Sequence, residues 1–72
     1  MSGEIIKYII AKVIDYANEA REEANQNVDD DFYKGRKFAY YEILDSIKNE
    51  IEVRGYDVKE FGLGANLEKE YL

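Results

Sequence analysis

The chain contains no cysteine, no histidine, no proline and no tryptophan. Without cysteine it can form no disulfide and offers no thiolate ligand. A chain of 72 residues without such a staple leans on its core or on another subunit. Without histidine it lacks the commonest metal ligand and the commonest acid–base group. The lack of proline suits long uninterrupted helices. Long apolar runs are missing too. The most apolar region, residues 5–14, is broken by Lys7 and Lys12 and is far short of the ~20 residues that a bilayer span takes. Glu4 precedes it and no small-residue cleavage site follows cleanly, which is unlike a secretory signal. Basic residues are in the minority, ten against sixteen acids, for a net charge of −6. That balance argues against nucleic acid and against an anionic membrane surface, both of which select clustered Lys and Arg. A basic protein remains a partner of suitable charge. The lack of cysteine accords with a cytoplasmic chain.

What the chain does have is apolar periodicity. Ile6, Ile10, Val13, Ala17, Ala20 and Ala24 recur at alternating steps of four and three, and Tyr33, Tyr40, Leu44, Ile47 and Ile51 keep a similar beat. Such spacing marks one face of a helix. The pattern predicts helices over about residues 4–25 and 31–54, joined by a knot rich in Asn and Asp, residue types that favour turns and N-caps. Ser2 is placed to cap the first helix, with Glu4 in its first turn. Gly55 is placed to stop the second. The expected fold is all-α, a single domain over residues 1–72 built as an antiparallel helical hairpin. The tail, residues 56–72, carries Val58, Phe61, Leu63, Leu67 and Leu72, too many large apolar groups for a free end. Gly62 and Gly64 break it, and Asn66 can cap a last short helix over residues 67–72. We expect this tail to fold back over the open end of the hairpin or across a partner.

Folding through the knot sets opposite each other residues whose numbers add to about 56. Ala24 then meets Phe32 and Tyr33, Ala17 meets Ala39 and Tyr40, Val13 meets Ile43 and Leu44, Ile10 meets Ile47, and Ile6 meets Ile51. Small against large side chains is how close-packed cores fill space. Charge supports the same register. Glu19, Glu22 and Glu23 lie near the end of the first helix, and Lys34, Arg36 and Lys37 near the start of the second, each disfavoured by the local helix dipole. Across the hairpin they become neighbours of opposite sign, Glu23 with Lys34 for example. Glu50 and Arg54 form an i, i+4 pair within the second helix.

The first half of the first helix is apolar nearly all round, and one neighbouring helix cannot cover it. The expected assembly is therefore a homodimer that closes a four-helix bundle. Ile5, Tyr8, Ile9, Phe38 and Tyr41 lie off the hairpin seam and are the interface candidates. Gly35 and Ala39 make a notch that admits another helix or an aromatic ring.

The remaining patterns bear on chemistry. Glu19 and Glu22 form E-x-x-E, and Glu42 and Asp45 form E-x-x-D. This spacing resembles the acidic signature of all-helical, magnesium-dependent nucleotide pyrophosphohydrolases of the MazG type. The resemblance rests on these four residues and implies that their carboxylates gather a magnesium ion on a nucleotide triphosphate. Helical periodicity points all four away from the apolar stripes, so they would meet across a dimer rather than within one hairpin. Asp29, Asp30 and Asp31 do not make an EF-hand, because Phe32 and Lys34 occupy ligand positions. They suit a helix cap. Asp15, Glu19, Glu22 and Glu23 form an acidic stripe that offers a docking face to a basic protein. The residues favour a small, acidic, non-enzymatic interaction or regulatory protein that acts as a homodimer and takes no cofactor.

Overall fold

The computed structural model describes residues 3–72. Ser2, the expected first cap, lies outside the described residues. Helix α1 spans Gly3–Gln26 and helix α2 spans Asp31–Val53. A 3-10 turn follows over Val58–Phe61, and a short helix α3 over Leu67–Tyr71. No strand occurs among the described residues.

Local chemistry sets the element boundaries. Asp30 is the N-cap of α2, its carboxylate accepting from the Phe32 amide at 3.0 Å, the contact that satisfies an orphan first-turn donor. The Asn27 side chain donates to the Glu23 carbonyl at 2.8 Å and closes the end of α1. At the other end of α2, the Gly55 amide donates to the Glu52 carbonyl and the Tyr56 amide reaches back to Ile51. This Schellman pair needs a residue in the left-handed region, and Gly55 supplies it with φ of 83°. The tail repeats the logic. Asp57 caps the 3-10 turn through the Lys59 amide, Gly62 at φ 78° ends it, and Asn66 caps α3 through the Lys69 amide at 3.2 Å.

The two long helices pack against each other along the predicted stripes. Ile10, Ala17, Ala20 and Ala24 are buried on α1, and Leu44 and Ile51 on α2. Across the loop end, Arg36 donates to Glu23 at 3.0 Å. The expected partner Lys34 is exposed instead. Two residues apart on a helix lie about 200° apart around the axis, so only one of the two can border α1.

The tail is the second layer. It does more than close the open end, because it runs back along one side of the hairpin. The Lys7 ammonium lies 5.6 Å from the Phe61 ring centroid. A Cβ on Gly62 would sit 3.5 Å from Ile14 Cδ1. Lys48 Nζ reaches the Ala65 carbonyl at 3.5 Å. The Tyr71 hydroxyl donates to Asn18 Oδ1 at 2.7 Å, and Glu70 is ion-paired with Arg21. Leu63, Leu67 and Tyr71, at steps of four, join the same buried cluster as Ile10, Ala17, Leu44 and Ile51. Leu72, expected in this layer, is 63% exposed. Tyr71 takes its place because it lies one turn from Leu67 on the same face of α3.

Candidate interaction face

The tail occupies one side of the hairpin, and among the described residues no other segment lies over the opposite side. Ile14, Asn18 and Arg21 mark the tail side of α1, and Tyr41 and Lys48 mark it on α2. Helical periodicity then places Ile5, Ile9 and Tyr16 on the opposite side of α1, and Phe32, Ala39 and Ile43 on the opposite side of α2. All six are exposed, Ile9 at 53%, Tyr16 at 49% and Ile43 at 48%. Val13, Tyr40 and Ile47 lie half-buried between the two strips. Ala39, Glu42, Ile43, Ser46 and Ile47 outline a shallow depression. Through Ser46 and Ile47 it runs into a largely apolar hollow of about 370 Å³ at the open end, where Ile6, Ile10, Ile51 and Phe61 form walls and the Glu50–Arg54 pair sits on the rim. The result is an apolar band across both helices, bordered by charge.

The five interface candidates divide between surfaces. Ile5 and Ile9 belong to the uncovered band. Tyr8 is 75% exposed but sits toward the outer edge of α1, about 100° from Ile9. Phe38 and Tyr41 stack with ring centroids 5.9 Å apart on the tail side of α2. Tyr41 packs partly buried against the core. Its hydroxyl is held above the usual tyrosine pKa by desolvation, then by the nearby carboxylates of Glu68 and Asp45. Glu68 belongs to α3, which places the tail beside this ring. Tyr16, Phe32 and Ile43 belong to this surface without having been singled out for it from the sequence. For two of them the signal was present, since Tyr16 lies seven residues after Ile9 and Ile43 four after Ala39. Ile43 was assigned with Leu44 to the hairpin seam. Leu44 alone takes the seam, fully buried, and Ile43 is rotated outward.

The acidic residues do not form a centre. Among the described residues no three acidic side chains lie close enough together to hold a metal ion. Glu19, Glu22, Glu42 and Asp45 are therefore not gathered within the chain. Glu42 borders the α2 depression, and Asp45 lies near Tyr41 on the tail side. Asp15, Glu19 and Glu22 are exposed, while Glu23 is engaged with Arg36. At Gly35 an added Cβ would meet nothing within 4 Å. Among the described residues nothing fills the notch beside Gly35. Tyr71 is the one strongly buried polar ring among the described residues, 4% exposed. Desolvation raises its hydroxyl pKa, Arg21 opposes the shift and Glu70 adds to it. The group anchors the tail through Asn18 and, with Asn18, Arg21 and Glu70, lines a small hollow of about 220 Å³ between the tail and the hairpin.

No protein-family model, no curated protein and no solved structure matches the chain. Among the described residues no helix is long and apolar enough to cross a membrane.

Proposed function

We propose that this chain is a small, acidic, non-enzymatic protein–protein interaction or regulatory module, and that the uncovered side of its hairpin is the binding surface. The observation that carries this reading is the asymmetry of the fold. One side of the two-helix layer is closed by Leu63, Leu67 and Tyr71, and the other leaves Ile5, Ile9, Tyr16 and Ile43 to solvent. A contiguous apolar band rimmed by polar residues marks an interaction site on a small protein. The cytoplasm, where cysteine-free chains lose nothing by the lack of disulfides, is the compartment this reading assumes.

Photo-crosslinking tests it. A benzoylphenylalanine at position 9 or 43 should yield a covalent protein adduct, and one at position 69, on the tail, should not. Adducts absent from both 9 and 43 would overturn the reading.

A further inference from the structure

We infer that the occupant of the uncovered side is a second copy of this chain, laid so that α1 of each copy crosses onto α2 of the other. The inference rests on the proposed binding surface and names its partner. Area is the first argument. The Cα framework is 40 Å long, so a side that runs its length can supply an interface of standard size, ~800 Å² per partner. A surface that is apolar in its middle can close on its own copy through a two-fold axis, leaving no unfilled surface to propagate.

Charge selects the direction of that axis. Two face-to-face arrangements exist. If the axis runs across the hairpin, α1 packs antiparallel on α1, and Lys12, at the border of the α1 strip, approaches its own copy. If the axis runs along the helices, α1 packs on the partner's α2 at the same height. Ile10 and Ile47 line one hollow within a chain, so Lys12 lies near the height of residues 45–46, about one turn from Glu42. In the second arrangement Lys12 therefore borders the partner's Glu42, and opposite charges meet twice. Lys12 and Glu42 are both exposed, and neither takes part in an ion pair among the described residues. The same rotation sets Tyr16 over the partner's depression at Ala39, Glu42 and Ile43. The bare Gly35 lies one turn beyond, where a second helix can approach without meeting a side chain.

A charge exchange read by sedimentation equilibrium tests this. Lys12→Glu and Glu42→Lys should each weaken the dimer about 2- to 30-fold, from two symmetric pairs of exposed-pair strength, and the double variant should recover most of the loss. Ile43→Glu should abolish the dimer while circular dichroism keeps its helical signal. Tighter association in Lys12→Gln, which removes a like-charge approach, would favour α1 on α1 and overturn the arrangement, as would three unchanged dissociation constants. If the parent chain is a monomer yet positions 9 and 43 crosslink to a different protein, the second copy is refuted and the binding surface stands. If neither position crosslinks, both fall.

Discussion

A chain that ends at Gly64 loses the cooperative fold. This truncation removes Leu67 and Tyr71, which are 6% and 4% exposed in the intact chain. Burying a large apolar side chain contributes about 1.5–3 kcal/mol, and the lost Tyr71–Asn18 hydrogen bond about 0.5–1.5 kcal/mol. The Arg21–Glu70 pair is partly exposed and adds little. The deficit is therefore about 3.5–7.5 kcal/mol. Domain stabilities run at roughly 0.05–0.15 kcal/mol per residue, so a chain this size has about 4–11 kcal/mol in all. The truncated chain should show a shallow thermal transition by circular dichroism and weaker dispersion of its methyl resonances. A sharp transition at the parent midpoint would mean that the hairpin holds itself without the tail.

The second large effect is expected at the helix crossing. Ala17 is fully buried, and Ala20 is 1% exposed. These positions set how closely α1 approaches α2, because a methyl group is all the space admits. Ala17→Leu forces three more carbons into a closed seam, which costs about 1–3 kcal/mol and more where the backbones must part. Ala11→Leu, on the exposed side of the same helix, adds the same atoms to open space and should change stability by less than about 0.5 kcal/mol. Urea titrations of the two variants give the comparison directly. Equal midpoints would show that the helices do not approach as described.

Much of this architecture was legible in the residues. Steps of three and four placed α1 and α2 within two residues of their ends, because both helices owe their existence to a stripe that burial demands. Gly55 and Asn66 announced their roles because a left-handed stop and a side-chain cap are local requirements. Asp30 was legible in kind, one of three acids that could start α2. Other features depended on where distant segments met. Both flanks of the seam carry apolar groups, Phe38 and Tyr41 on one side and Ile43 with Ala39 on the other, and nothing local says which flank the tail will cover. Tail docking through Ile14, Asn18 and Lys48 decided that question. It covered the Tyr41 flank and left the Ile43 flank open. The choice of Arg36 over Lys34 as the partner of Glu23 was similarly a matter of two residues and a rotation. The four spaced acids show the converse. Their spacing along the chain suggested a shared site, but spacing along one helix does not fix direction across two.

The proposed assembly is a hairpin closed on one side by its own tail and on the other by a second copy. Sedimentation equilibrium of the intact chain at micromolar concentration addresses that claim most directly. A species of twice the 8.4 kDa chain mass is expected; a single species of 8.4 kDa across the whole concentration range would contradict the second copy.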